Sequence, residues 1–208
     1  MIFGRTGVGI SSLVNLIVGH PISNDHTAAK PSKTSKRVKP YPPITLPGSE
    51  NRFHLYEIPG FGGQFTDATI LETIRRIERN VGVDLFIYCL RSQKWTIMTE
   101  IVRIIRSIVP GKKFPMIAAV TELERFDAEG GTNDWWDLPL KDGNTNGMLV
   151  EQMCFGKDDE FDAHACITTL PPGEAAQTES WRGRRKQSEA RVRKLIIELC
   201  ARGERRGE

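Results

Sequence analysis

Met1-Ile2-Phe3-Gly4-Arg5-Thr6-Gly7-Val8-Gly9-Ile10-Ser11-Ser12-Leu13-Val14-Asn15-Leu16-Ile17-Val18-Gly19 is the stretch that decides how this chain is read. An apolar strand end runs into a glycine loop, and the loop runs into an apolar helix. That order builds a phosphate-binding loop. Glycines let the backbone come close to an anion, and the helix N-terminus offers unpaired N–H groups and the positive end of a dipole. The pattern asks for Gly, four residues, then Gly-Lys-Ser or Gly-Lys-Thr. Gly4, Gly9 and Ser11 keep the frame, while Ile10 stands where the lysine belongs. The helix is expected from Ile10 to Gly19, with glycine as its stop and Pro21 beyond it.

Ser23 to Pro40 has no helical or strand period and is read as a basic loop carrying Lys30, Lys33, Lys36, Arg37 and Lys39. Tyr41–Leu46 holds prolines and reads as an edge strand. Arg52–Ile58 reads as a strand ending at Pro59-Gly60, and His54 within it as solvent-facing or hydrogen-bonded. Thr66 or Asp67 caps a helix with Ile70, Leu71, Ile74 and Ile77 on one face. Val83–Leu90 is nearly continuous apolar sequence, the pattern of a strand covered on both faces. A helix is expected from about Thr96, with Ile97, Ile101, Ile104 and Ile108 on one face, up to Pro110-Gly111. Pro115–Thr121 is a further buried strand. Periodicity then fails from Glu122 to Lys157, a polar stretch that contains Trp135-Trp136. A short strand, Ala165–Thr169, follows, and a last helix is expected over roughly Ser188–Ala201, burying Val192, Leu195, Ile196 and Leu199.

Strands alternating with amphipathic helices predict an α/β fold, a mainly parallel sheet with helices on both faces. Ligands of such sheets bind beyond the carboxyl ends of the strands. The glycine loop, Glu57–Gly60, Thr121–Glu124 and Cys166–Thr169 all fall at such ends, so four polar strand ends converge on one rim.

At 208 residues the chain is long enough for one domain with a substantial core. Its 39% hydrophobic and 26% charged residues place it with globular chains, and a net charge of +3 gives no argument for nucleic acid. Cys89, Cys154, Cys166 and Cys200 lack metal-ligand or disulfide spacing and read as reduced thiols, mostly buried. No apolar run approaches the ~20 residues of a membrane span, and no signal peptide is read in the short apolar start. A cytoplasmic chain is the expectation. Trp135-Trp136 reads either as packing of the insertion or as an anchor for a protein partner. The basic run Arg182-Gly183-Arg184-Arg185-Lys186 reads as a solvated helix entry.

Taken together, the Gly-x-Thr-Gly-x-Gly loop, the Pro59-Gly60-Phe61 turn, the Thr121-Glu122-Leu123-Glu124 strand end and the Trp-Trp pair resemble the P-loop GTPases, and among them a group of fungal G-domain proteins. The resemblance spans nearly the whole chain. It implies a P-loop NTPase-like three-layer sandwich, a single G domain over 1–208 with an insertion at about 122–160. It implies GTP and Mg²⁺ as ligands. Gly4, Arg5, Thr6, Gly7, Val8, Gly9, Ile10, Ser11 and Ser12 would cradle the phosphates, and Gly60 would offer its amide to the γ-phosphate. Thr121, Glu122 and Glu124 stand at the base-reading motif, with Thr168 and Thr169 in the loop behind the guanine. A carboxylate such as Glu124 suits guanine because it accepts from the ring N–H and the exocyclic amine together. Ser11, Glu57 and a switch-loop threonine, Thr34 first and then Thr27 or Ser35, would hold the metal.

The departures are specific. Ile10 and Glu122 both replace lysines of the family, and loss of a fixed ammonium beside a triphosphate costs on the order of 3 kcal/mol. Glu57 replaces an aspartate. Phe61 follows Gly60 where some relatives carry a water-orienting glutamine, with Gln64 out of register. The first strand is truncated at Met1-Ile2-Phe3, against about five or six residues for an ordinary strand; a chain cut short and an eroded relative both fit. The functional expectation is therefore GTP binding with weak or lost hydrolysis. A non-catalytic interaction module and an ATP-using phosphotransferase stay open beside it.

Overall fold

A computed structural model describes residues 1–22, 38–62, 67–92, 99–124, 134–157 and 159–204. Its sheet has six strands: β1 (Ile2–Gly4), β2 (Lys39–Pro40), β5 (Tyr56–Glu57), β6 (Phe86–Arg91), β7 (Met116–Thr121) and β8 (Ala163–Cys166), in the order β2-β5-β1-β6-β7-β8. All neighbours run parallel except β2 against β5. A separate hairpin pairs β3 (Ile44–Thr45) with β4 (Arg52–Phe53).

Alternation along β6 sorts the core into two layers, because successive side chains of a strand point to opposite faces. Phe86, Tyr88 and Leu90 join Phe3, Met116, Ala118 and Val120 on one face. Helices α2 (Asp67–Val81), α3 (Thr99–Arg106) and α5 (Asn146–Phe155) cover that face through residues such as Ile74, Val102 and Val150. Ile87 and Cys89 join Ile2, Ile117 and Ala119 on the other face, under α1 (Ile10–Val18) and α7 (Glu179–Glu204). The short helices α4 (Asp134–Asp137) and α6 (Pro172–Ala175) complete the described elements. This is the three-layer α/β sandwich expected from the sequence.

Several boundaries differ from the sequence reading. Of the edge strand expected over 41–46 only Ile44–Thr45 forms, because Pro42 and Pro43 have no N–H to give to a ladder, and Lys39–Pro40, read as the end of the basic loop, is a strand instead. The strand expected over 52–58 is likewise split into β4 and β5. β8 lies two residues earlier than expected, at Ala163–Cys166. The last helix begins at Glu179 rather than Ser188; Thr178 caps it by accepting the Trp181 N–H at 3.1 Å. Its first turns are polar and carry Gly183, which hides them from any search for an apolar stripe. The start expected for α3 near Thr96 lies outside the described residues. Trp135 and Trp136 are buried at 4% and 6% exposure and belong to the α2/α3 core, as the packing alternative expects and the partner-anchor alternative does not. Cys89, Cys154 and Cys166 are buried free thiols, and Cys200 is half-buried. Among the described residues no helix is long and apolar enough to cross a membrane.

Candidate functional site: the carboxyl rim of the sheet

The glycine loop leaves β1 and turns back at once. Gly4 is squeezed against β6: a Cβ there would collide with the Cys89 carbonyl oxygen and lie 2.9 Å from Val8 Cγ2. The loop is pinned from below at the Val8 carbonyl. Thr121, fully buried at the end of β7, donates its hydroxyl to Val8 O at 2.8 Å, with Leu90 O at 3.2 Å. Cys89 Sγ donates to the same oxygen at 3.4 Å, and burial pushes that thiol up to about 12, so it keeps its proton. Gly9 ends the loop in the left-handed region at φ 94°, with no side-chain cap for the helix behind it. The first helical bond of α1 runs from Leu13 N–H to Gly9 O at 2.9 Å. The amides of Ile10, Ser11 and Ser12 therefore precede the ladder and form the open end of the helix. Ile10, at the lysine position, is buried in the α1/α7 core among Leu13 and Val14.

Beside the loop stands a carboxylate fixed at both oxygens. Ser11 donates its hydroxyl to Glu57 Oε1, and Tyr41 donates its phenol to Glu57 Oε2. Both partners are neutral donors, and Glu57 is itself buried. A hydroxyl and a carboxylate in contact form an oxygen set of the kind that suits Mg²⁺, which takes one or two protein oxygens and completes its shell with phosphate and water. Thr34, Thr27 and Ser35 lie outside the described residues, as does Gln64.

The Gly60 turn closes over the loop. Phe61 N–H donates to Gly4 O at 3.0 Å, and Thr6 N–H to Phe61 O at 3.2 Å. The Thr6 hydroxyl donates to Gly60 O at 3.0 Å. A Cβ at Gly60 would sit 2.5 Å from Thr6 Cα, so only glycine passes there.

On the far side the rim is made by β7, β8 and α7. Thr169 Oγ1 and the Thr121 side chain each lie 3.8 Å from where a Gly9 Cβ would be, so both strand ends meet the loop at one point. Next to them Thr168 donates its hydroxyl to Glu124 Oε2 at 3.3 Å, and its N–H to Ser188 Oγ at 3.1 Å. Arg185 donates to Leu170 O at 2.7 Å and Arg184 to Glu124 O at 3.5 Å. Arg185 is buried at 8% exposure, which corrects the expectation of a solvated basic helix entry. The first turns of α7 brace the loop after β8. Glu122 has φ 62° and pairs with Arg91 at 2.8 Å.

The structure thus gathers Gly4–Ser12, Glu57, Gly60, Thr121, Glu122, Glu124, Thr168 and Thr169 at one rim. It adds Tyr41, Arg91, Arg185 and Ser188, none of which was expected at the site. Arg91 was findable: it is the charged residue that ends an apolar strand on the ligand side. Tyr41 and Ser188 carry no local signal, and Arg185 showed only as part of a basic run read as solvated.

Residues 1–122, more than half of the chain, match the 50S ribosome-binding GTPase family. The chain belongs to that family. Solved structures share the fold of this GTPase domain. A probable GTP-binding protein engB matches at 15% identity and TM-score 0.55, over 97% of each chain. A mutation variant (G235P) of SsGBP matches at 17% identity and TM-score 0.57, over 96% of this chain and 55% of that one. A GTP-binding protein from the hyperthermophilic archaeon Sulfolobus solfataricus, solved in complex with GDP, matches at 15% identity and TM-score 0.55, over 97% of this chain and 51% of its own. The chain therefore spans about half the length of the SsGBP and Sulfolobus chains and nearly all of engB. Comparison with curated protein sequences gives no match.

Proposed function

We propose that this chain binds GTP and GDP at the carboxyl rim of its sheet, as a single G domain in which hydrolysis is weak or lost. The observation that carries the reading is the meeting of Thr121 and Thr169 at Gly9, with Glu124 held beside them by Thr168. This supports a phosphate-binding loop lying next to a carboxylate able to pair with guanine. The open amides at the start of α1 bind phosphate oxygens, the Glu124 carboxylate accepts from the ring N–H and amine of guanine, and Ser11 and Glu57 supply the oxygens for Mg²⁺. Bound there, the metal would supply positive charge beside the phosphates.

Turnover is the weak point. Ile10 puts a methyl-bearing side chain into the core where the family has an ammonium. Among the described residues no side chain of the Gly60 turn offers to orient a water, since Phe61 is fully buried. These features favour, as the second reading, a non-catalytic interaction module that keeps the fold without nucleotide.

The test is titration of the purified chain with a fluorescent GTP analogue, with and without Mg²⁺, and competition by GTP, GDP and ATP. Saturable binding displaced by GTP and GDP but poorly by ATP is expected. Absence of saturable binding up to millimolar nucleotide sinks the reading, and preferential displacement by ATP replaces it with an ATP-using enzyme.

A further inference from the structure

Two positions where P-loop GTPases carry lysine are Ile10 and Glu122 here, yet the rim has a cation from another strand. β6 ends at Arg91, in register with Thr121 of β7. Residues in register on neighbouring strands project to the same face. On that face the Thr121 hydroxyl holds Val8 O, and Cys89, one pleat before Arg91, reaches the same oxygen. Arg91 therefore leaves the sheet on the side of the glycine loop, level with Thr121 and one pleat beyond Cys89, the two residues that pin it.

Its guanidinium is held but not satisfied. Nη2 lies 2.8 Å from Glu122 Oε1, with the two side chains 30% and 39% exposed. The Nε–H is buried and has no hydrogen-bond partner among the described residues. Glu122 reaches back across the strand end from a left-handed backbone at φ 62°, which a non-glycine residue adopts only where its surroundings hold it. A guanidinium has five donors in a planar fork, so a carboxylate on one edge leaves others for a second anion.

We propose that Arg91 is a phosphate-binding residue of this site, replacing from β6 the charge absent at Ile10, with Glu122 as the residue that holds it in place. The inference rests on the nucleotide-binding reading above. The arrangement reverses the family's charge order: the acid sits in the base-reading motif and the base on the neighbouring strand. Bound phosphate takes the solvent-facing side of the guanidinium, while Glu122, which positions it, also offsets part of its charge.

The test uses the full chain and three probes: GTP, GDP and guanosine, the last without phosphate. Arg91→Met keeps the apolar stem and removes the charge. It is expected to weaken GTP and GDP binding by about tenfold or more, the scale of one charge-assisted hydrogen bond, and to leave guanosine within about twofold. It should also flatten the salt dependence of GDP binding. Glu122→Gln frees the guanidinium and is expected to tighten GDP several-fold. Unchanged GDP affinity in Arg91→Met overturns the proposal, as does an equal loss for guanosine and GDP, which puts Arg91 at the base instead. If Arg91→Met does not melt cooperatively, Arg91→Lys and Glu122→Gln decide. Lys is expected to fall between wild type and loss, and wild-type GDP affinity in both variants overturns the proposal. Failure of the wild-type chain to bind any of the probes overturns the nucleotide reading itself, which is a different result.

Discussion

The proposed phosphate end and the proposed base end of the rim have been treated differently by this sequence. At the phosphate end every backbone feature is in place: the Gly4 approach, the left-handed Gly9, the open amides of α1 and the Val8 carbonyl pinned by Thr121. What is altered there is side-chain charge, at Ile10. At the proposed base end the lysine position is also changed, at Glu122, but the neighbouring side chains are braced, from Glu124 through Thr168 to Ser188 and Arg185. The contrast separates two sources of anion binding. Helix-end amides are a property of the backbone path and survive substitution, whereas a lysine disappears with one residue change.

Substitutions can press on this contrast from either side. The largest effect is expected from Gly4→Ala, whose methyl collides with the backbone of β6 and separates the strands that carry the loop. A loss of about 3 kcal/mol of stability is expected, read by chemical denaturation, because the obstructing atom is main chain and cannot rotate away. Near wild-type stability there would show that the backbone frame is looser than described. Ile10→Lys follows. It restores the missing ammonium and is expected to tighten GTP by up to about a hundredfold, roughly 3 kcal/mol, less what is lost by taking Ile10 from the core. If GTP affinity does not change, charge at position 10 is not what limits the phosphate end. Thr121→Val comes next, since it removes the hydroxyl that holds Val8 O. About 1–2 kcal/mol of stability and a several-fold weaker GDP affinity are expected, measured on the same samples. Ser188→Ala is the smallest and tests the base end alone. It leaves the buried Thr168 N–H without its acceptor, costing about 1 kcal/mol or slightly more. It is expected to reduce the preference for GDP over ADP while leaving phosphate-only competition by pyrophosphate unchanged. Equal weakening of pyrophosphate would erase the distinction between the two ends.

Most of the fold was readable, because the apolar runs of β6 and β7 and the stripes of α2 and α7 carry their own periods. The rim was readable for a related reason: its motifs sit directly at strand ends, so finding the strands finds the motifs. What sequence reading missed was held by partners distant in the chain. Tyr41 meets Glu57 across the β2–β5 edge, and the prolines that broke the predicted strand also concealed that contact. The first turns of α7 were hidden because their arginines face loop carbonyls, not an apolar neighbour. Trp135 and Trp136 were legible as large aromatics, but only the fold shows them inside.

The alternation of β6 has a consequence for how this chain can vary. Phe86, Tyr88 and Leu90 face one layer while Ile87 and Cys89 face the other, and Arg91 takes its side by the same count. The strand behaves like a text with an even–odd reading frame. Deleting a single residue between Phe86 and Leu90 would send aromatic rings under α1 and α7 and turn Arg91 away from the glycine loop. Deleting two would restore the parity but shorten the strand by one pleat, drawing Arg91 below the rung of Thr121. Insertions and deletions are therefore confined to the connections between elements, and the position of the guanidinium is inherited from the strand's length as firmly as from its own codon.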